Sequence, residues 1–231
     1  MAGIIGVRAE DMEQVDALQR ARLDWPKGLP LIRPHVLAPV LVKGPEGLTY
    51  VAARFGLSRR FASFNARDDR LTESVFWRTL FGKDHGIVPV SYVVEWVGTE
   101  RTGRQPYLIQ RADGRMMMVP ALVGTSRDDA REMGFALCTR KPNGFFARFH
   151  DRMIGHCSRA LMERWLTPVG RTDEELLECV AAPGDDELVA VPTSPEIQKR
   201  QKGDWSPLPA IGPPLTWGDV QQQAVAKTKA G

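Results

Sequence analysis

The middle of this chain is a series of short strand-forming segments separated by turns, and this pattern limits the possible folds more than any other feature. Aliphatic and aromatic residues fill these segments, and Gly, Pro, Asn or Asp residues bound them, as is typical of strands. The predicted strands are 3–7, Val36–Val42, Thr49–Phe55, Ile87–Val97, Tyr107–Gln110, Arg115–Val123 and Phe135–Thr139. We expect the segments on either side of the turn Ala112–Gly114 to pair as a hairpin.

Helical periodicity occurs mainly outside this central region. The predicted helices are Glu10–Leu23, Thr72–Phe81, Ser158–Leu166 and Thr172–Val180. Ser158 is a candidate N-cap, and Thr172 and Glu175 have the spacing of a capping box. Strands in the centre with helices at the flanks predict an α+β fold with antiparallel sheet.

The chain contains 231 residues, a length that one large domain can accommodate. Prolines become frequent after Ala181, and the last dozen residues are polar. We therefore predict a single domain over 1–231, with a core of about 2–190 and a proline-rich, polar tail of about 191–231.

The composition excludes several classes of protein. No stretch approaches the 18 apolar residues of a membrane span, and the first residues lack the basic segment of a signal peptide. Three scattered cysteines favour a reducing compartment, so we expect a cytoplasmic protein. Of the 31 basic residues 23 are Arg, and most of them precede an acidic stretch after residue 172. This arrangement is consistent with a polyanionic partner and also with an ordinary solvated surface.

Two of the most reactive side chains stand in apolar surroundings. Glu95 interrupts the apolar and aromatic segment Val90–Val97. If it lies in a cleft, desolvation would raise its pKa and suit it to proton transfer; otherwise it is an outward-facing strand residue. His150, between Phe149 and Asp151, could transfer protons near neutral pH or serve as a hydrogen-bonded structural histidine.

The other notable side chains are an amide and two guanidinium groups. Asn65 could donate to an oxyanion or a sugar oxygen, or could close a turn. Arg67 and Arg152 could each bind a phosphate through two donors, or could form surface ion pairs.

Three short sequence strings contain these residues, and they resemble the signature blocks of the SOS response-associated peptidase family. The strings are Phe64–Arg67, Val94–Trp96 and Phe149–Met153. Further similarity covers Arg33–Pro39, Gln105–Tyr107, Cys138–Thr139 and Trp165–Leu166, so the resemblance spans roughly Ala2 to Leu166. It implies an α+β fold whose central antiparallel β-sheets form a distorted barrel-like core with peripheral helices.

The resemblance also implies a chemistry. In that family an N-terminal cysteine, exposed by methionine removal, forms a thiazolidine crosslink with an abasic site in single-stranded DNA and is tied to autoproteolysis. Asn65, Glu95 and His150 are the equivalents of pocket residues, and the glutamate and histidine carry protons.

The same resemblance assigns DNA contacts. Arg67 and Arg152 would hold the backbone, and Trp96 would pack beside the DNA. Phe55 stands where the family has a tryptophan and could stack on a base, and Pro39 of the early block is expected on the same surface. The implied partner is abasic single-stranded DNA in a bacterial or phage-encoded protein that is nucleoid-associated when bound.

This chain departs from the pattern at the nucleophile, because Ala2 stands where the cysteine is expected. A thiazolidine cannot form without a thiol, although the α-amine of Ala2 could still form a reversible Schiff base. Ala2 is either natural or a replacement of the cysteine. The alternative function is a non-catalytic single-stranded DNA-binding module on the same scaffold.

No metal or small-molecule cofactor is expected. His150, His156, Cys157 and Cys179 lack the spacing of a zinc site. A hydrolase built on an internal cysteine is disfavoured, because His156 and Cys157 are direct neighbours in sequence and Cys138 lies in an apolar strand.

Overall fold

The protein is described by a computed structural model that covers residues 3–8, 10–11, 29–59, 63–99, 103–126, 128–129, 131–199, 206 and 208–222. The strands are β1 Ile5–Val7, β2 Leu29–Ile32, β3 Leu37–Gly44, β4 Gly47–Phe55, β5 Asn65–Arg67, β6 His85–Val90, β7 Tyr92–Thr99, β8 Gly103–Arg111, β9 Met117–Thr125, β10 Met133–Arg140, β11 Met153–Ile154 and β12 Leu188–Pro192. The α-helices that lie wholly within the described residues are α1 Val75–Arg78, α2 Arg159–Leu166 and α3 Asp173–Leu177. Most of the predicted helix Glu10–Leu23 lies outside the described residues.

Five strands close into a barrel, which confirms the predicted α+β fold with a barrel-like core. The order is β6-β9-β10-β4-β3, and β3 pairs back on β6. Most of these pairings are antiparallel, but β10 runs parallel to β4 and to the short strand β5. Buried aliphatic and aromatic side chains from all five strands fill the core.

A second sheet packs beside the barrel in the order β12-β8-β7-β1-β2. Its two faces bury different apolar clusters, because side chains alternate along each strand. Val93 and Ile109 belong to the main core, whereas Val94 and Leu108 belong to a smaller cluster with Ile197.

The predicted strand Ile87–Val97 is in fact two strands, β6 in the barrel and β7 in the second sheet. The chain changes sheets at Ser91, whose buried hydroxyl donates to Asp11 Oδ2 at 2.5 Å and accepts from the backbone N–H of Arg8 at 2.9 Å. These bonds attach the start of the chain to the junction between the two sheets.

The predicted hairpin through Ala112–Gly114 is wrong. A turn exists there, with Gly114 N donating to Arg111 O at 3.2 Å. However, β8 pairs with β7 and β12, whereas β9 pairs with β6 and β10. The turn therefore links two sheets, and the late strand β12 takes the place beside β8 that the sequence assigned to β9.

The helices stabilise the outside of the barrel. Trp165 of α2 is fully buried, stacks on His85 with ring centroids 3.8 Å apart, and donates from Nε1 to Gly86 O at 2.8 Å. Before α3, Thr172 and Glu175 form the predicted capping box. Ser158 is the N-cap of α2, although its side chain makes no capping bond. In the part of the chain described here, no helix is long and apolar enough to cross a membrane.

Candidate functional site

Strand β10 brings the first and third signature strings together. Its Leu137 and Thr139 pair with Asn65 and Arg67 of β5 on one side. On its other side, Thr139 pairs with Ile154 of β11, two residues after Arg152. The order of strands in the barrel therefore places the two predicted DNA-binding arginines beside one strand end.

Both arginines are already ion-paired with the acidic residues that follow Arg67. Arg67, about half exposed, contacts Asp69 through two hydrogen bonds of 2.9 and 2.6 Å. Arg152, only 12% exposed, donates to Asp68 Oδ1 at 2.7 Å and to Thr139 O at 2.5 Å. The hydrogen bond from Arg67 holds the pKa of Asp69 below its usual range. Arg67 is thus an accessible cation, whereas Arg152 fixes the β5 and β11 regions together.

Glu95 is buried, with 4% of its surface exposed. Within the described part of the chain its Oε1 has no hydrogen-bond partner. Desolvation raises its pKa from 4.5 to about 7, and the nearby carboxylate of Asp151 acts in the same direction. Glu95 is therefore not an outward-facing strand residue, and its burial is the condition that the proton-transfer hypothesis requires; the transfer itself stays a prediction.

Aromatic packing brings the third string next to Glu95. Glu95 on β7 is paired with Tyr107 on β8. The Tyr107 ring packs edge-on against Phe149, with ring centroids 5.3 Å apart. Since His150 follows Phe149 directly, and Asp151 influences the pKa of Glu95, the histidine and the glutamate share one region of the molecule.

His150 is held at its Nδ1 atom. The backbone N–H of Arg152 donates to Nδ1 at 3.0 Å, and Asp151 Oδ1 lies 2.6 Å from the same atom. Burial lowers the pKa of His150, whereas Asp151 acts to raise it. In the neutral ring Nδ1 accepts from Arg152 and the proton is on Nε2; in the imidazolium Nδ1 would donate to Asp151. The side chain can therefore hold or release a proton with a partner at hand for either state.

The beginning of the chain reaches Glu95. Ile5 pairs with Val93, and Val94 N donates to Ile4 O at 2.9 Å. This antiparallel register places Gly3 opposite Glu95. Ala2, the predicted nucleophile position, lies outside the described residues, but it is joined by one peptide bond to a residue beside the buried carboxylate.

Three predicted DNA contacts have different surroundings. Phe55 is fully buried and stacks on Phe135 with centroids 5.1 Å apart, so its ring is inaccessible to a base in this conformation. Pro39 is buried in β3 opposite Ala52. Phe55 faces the interior of the barrel, whereas Pro39 lies between the core residues Ala38 and Val40, so alternation puts it on the other face of β3. Both side chains are nevertheless covered in this conformation. Trp96 is partly exposed, but alternation along β7 puts it on the sheet face opposite Glu95.

Sequence reasoning missed the acidic partners of the arginines. Asp68 and Asp69 follow Arg67 directly, and this adjacency was the available signal for a paired rather than a free cation. The aromatic contact between Tyr107 and Phe149 left no comparable signal, since it depends on which strands are neighbours.

The three cysteines lie away from solvent, although the hydrogen bond with Cys157 lowers the pKa of Cys179. Cys138, Cys157 and Cys179 are buried, and burial raises the pKa of Cys138. No group of three or more His, Cys, Asp and Glu side chains within the described ranges is arranged to hold a metal ion.

Known proteins provide a further comparison. The model of the family described as SOS response associated peptidase (SRAP) matches residues 31–200. No curated protein matches the sequence.

Three crystal structures are similar in fold. A protein from Bacteroides thetaiotaomicron is 17% identical, covers 72% of this chain and 78% of its own, and gives a TM-score of 0.62. A protein from Bordetella bronchiseptica is 16% identical over 82% of this chain and 99% of its own, with a TM-score of 0.67. A phage-related protein from the same organism is 19% identical over 90% and 99%, with a TM-score of 0.65. At these identities the likeness concerns the fold.

Proposed function

Because this chain belongs to the SOS response associated peptidase family, we propose that it recognises abasic sites in single-stranded DNA. The abasic sugar would enter beside Gly3, between Glu95 and the loop that carries His150. The observation that supports this most is the convergence of the buried carboxyl, the imidazole and the beginning of the chain in one region.

Glu95 is suited to general acid–base chemistry near neutral pH. With a pKa of about 7, its protonated and ionised forms coexist. An amine attack on the ring-opened aldehyde gives a carbinolamine, which loses its hydroxyl as water when an acid protonates it. Protonated Glu95 would supply that proton. Departure of water would then leave an iminium ion, in which the former aldehyde carbon is double-bonded to the amine nitrogen.

Ala2 determines how far the reaction goes. The α-amine of residue 2 would give an imine that water hydrolyses, with release of the aldehyde and the amine. A cysteine at this position would add its sulfur to the imine carbon, and the thiol proton would leave to a base, so that a stable thiazolidine ring forms. We therefore propose reversible engagement for this sequence and stable crosslinking for Ala2→Cys.

The phosphate-binding part of the proposal rests on Arg67. Its guanidinium is about half exposed and pairs with Asp69, so a phosphate would have to displace that carboxylate. Arg152 would mainly position the loop, since it is 12% exposed and bonded to Asp68 and Thr139. DNA binding through these two arginines alone would be modest.

The test is a denaturing gel after incubation with single-stranded DNA that carries one abasic site. The parent protein with Ala2 should show a shifted band only after borohydride reduction, and Ala2→Cys should show one without reduction. Ala2→Ser, which lacks the sulfur, is the matched control and should behave like Ala2. Absence of a band for Ala2→Cys under both conditions would refute the proposed chemistry.

A non-catalytic single-stranded DNA-binding module is the second candidate. The missing thiol at Ala2 and the accessible cation at Arg67 favour it. It predicts salt-dependent binding to undamaged single-stranded DNA, equal affinity for abasic DNA, and no reduced adduct.

A further inference from the structure

Two of the three cysteines are brought together where the chain leaves β11 and where it returns after α3. Cys157 lies three residues after β11, and Cys179 lies two residues after α3. Their neighbours His156 and Ala181 form an antiparallel bridge with two backbone hydrogen bonds, of 2.8 and 3.2 Å. This bridge holds the segment that contains Cys157 beside the segment that contains Cys179.

Both sulfur atoms lie against the first turn of α2. Cys157 Sγ is 3.7 Å from Ser158 O, and Cys179 Sγ is 3.7 Å from Leu161 O. These two carbonyl groups belong to one turn, because Leu161 N donates to Ser158 O at 2.9 Å. A hydrogen bond joins the two thiol groups, which are not covalently linked in this structure. Small side-chain rotations would bring such a pair to the geometry of a disulfide.

The two thiols differ in acidity. The hydrogen bond with Cys157 lowers the pKa of Cys179, and the guanidinium groups of Arg164 and Arg171 act in the same direction, whereas burial opposes them. The same hydrogen bond and burial raise the pKa of Cys157. Since the thiolate is the reactive form, Cys179 is the thiol suited to attack an oxidant first. Cys138 is fully buried, and burial raises its pKa.

The surroundings of Cys179 give a small molecule a route to it. The preceding residue, Glu178, has a side chain that is 65% exposed and forms an ion pair of 2.7 Å with Arg164 of α2. An exposed ion pair contributes little to stability, so this contact between α2 and the end of α3 can open locally. Cys179 is therefore the member of the pair that lies next to the surface.

We propose that Cys157 and Cys179 are a modification site at which a small peroxide forms a reversible disulfide. The thiolate of Cys179 attacks one oxygen of hydrogen peroxide, the O–O bond breaks, and the hydroxide that leaves takes up the thiol proton as water. The sulfur of Cys157 then attacks the resulting sulfenic acid, the S–S bond forms, and the hydroxyl leaves with the Cys157 proton as a second water. The two sulfurs lose two electrons and the peroxide gains them; a dithiol reverses the change.

The disulfide would close the segment 158–178, which contains α2 and α3, into a covalent loop. Trp165 of α2 stacks on His85 of the barrel, and β11 follows the third signature string directly. Oxidation would therefore fasten both outer helices to the part of the barrel that carries this string. A crosslink restricts the unfolded chain, so the oxidised protein should unfold at a higher urea concentration.

The test is to treat the folded parent protein with hydrogen peroxide, remove the peroxide, unfold the protein and alkylate its thiols. The parent should lose two of its three thiols and regain both with dithiothreitol. Trypsin, which cleaves after Lys and Arg, separates the cysteines into the peptides 132–140, 153–159 and 172–199. Mass spectrometry should find the last two peptides linked and the first one alkylated.

Three variants provide the controls. Cys138→Ala keeps the pair and should lose both of its thiols to peroxide in the same way. Cys157→Ala and Cys179→Ala each lack one partner, so neither should form the linked peptide or change its urea midpoint through a disulfide. The linked peptide is measured in the parent, so the result does not depend on whether these variants fold.

Three results would overturn the proposal. One is a parent that keeps all three thiols at a peroxide concentration that oxidises free cysteine. Another is a disulfide that includes peptide 132–140. The third is an oxidised protein whose urea midpoint is lower than that of the reduced protein, because the bond would then join sulfurs that the folded state keeps apart. None of these results bears on the proposed reaction with abasic DNA, which uses neither cysteine.

Discussion

Replacement of Glu95 by Gln should stabilise this protein above neutral pH. Glu95 is buried, and desolvation raises its pKa from 4.5 to about 7. The unfolded chain loses the proton near pH 4.5, whereas the folded protein keeps it until about pH 7. Between these values the folded state binds more protons, so the stability of the parent falls as the pH rises.

The magnitude follows from the size of the pKa shift. At about 1.4 kcal/mol for each pH unit, the rise to about 7 corresponds to roughly 3 kcal/mol of lost stability once the pH exceeds 7. Glu95→Gln removes this titration and keeps a side chain of similar size. The difference in unfolding free energy between variant and parent should be pH-independent below pH 4.5, grow through pH 4.5 to 7, and then level off.

Urea unfolding at several pH values between 4.5 and 8.5 measures this difference directly. Glu46→Gln is the matched control for the loss of one glutamate, since Glu46 is exposed in the turn between β3 and β4. A Glu95→Gln variant whose stability difference is constant with pH, or that is less stable relative to the parent at pH 8 than at pH 5, would refute the desolvated carboxyl.

Two further predictions concern the beginning of the chain and the arginine pair. A Cβ at Gly6 would lie about 2.4 Å from ring carbons of Tyr92, so Gly6→Ala should lower the unfolding free energy by about 1–3 kcal/mol. Gly44→Ala is the control, because the nearest atom to its Cβ would be 3.7 Å away. Similar urea midpoints for the two variants would argue against the close packing of Gly6 on Tyr92. Arg67→Gln should weaken single-stranded DNA binding with little change in stability, because an exposed ion pair contributes about 0–1 kcal/mol. Arg152→Gln should also lower the urea midpoint, because Arg152 is 12% exposed and bonded to Asp68. If the two variants change binding and the urea midpoint equally, the different roles assigned to Arg67 and Arg152 are wrong.

The positions of the main strands could be predicted from the sequence, but their partners could not. The predicted segment Val36–Val42 overlaps β3 except for Val36, and Thr49–Phe55 lies within β4, because a half-buried strand needs that local composition. The pairing of β8 with β12 instead of β9 depends on contacts between distant residues, which local turn chemistry does not specify. Strands as short as β5 and β11 carry too few residues for a period to appear.

The candidate site shows the same limit. The string order identified Glu95 and His150 as possible proton carriers, and the structure places both near the beginning of the chain. Burial of Phe55 and Pro39 could not be predicted from the family pattern, because it depends on which distant segments cover each face of β3 and β4. A motif preserves residue types at given positions, whereas exposure is set by the whole packing arrangement.

The alternation of β7 gives the neighbouring residues Glu95 and Trp96 different surroundings. Glu95 lies on the face that carries Val93 of the main core, where burial raises the pKa of its carboxyl to about 7. Trp96 lies on the opposite face, with Val94 and the cluster that includes Ile197. The register of β1 on β7 places Gly3 opposite Glu95. If a nucleophilic amine at position 2 is to meet an abasic sugar, we therefore expect the two to meet on the edge of the sheet beside Glu95.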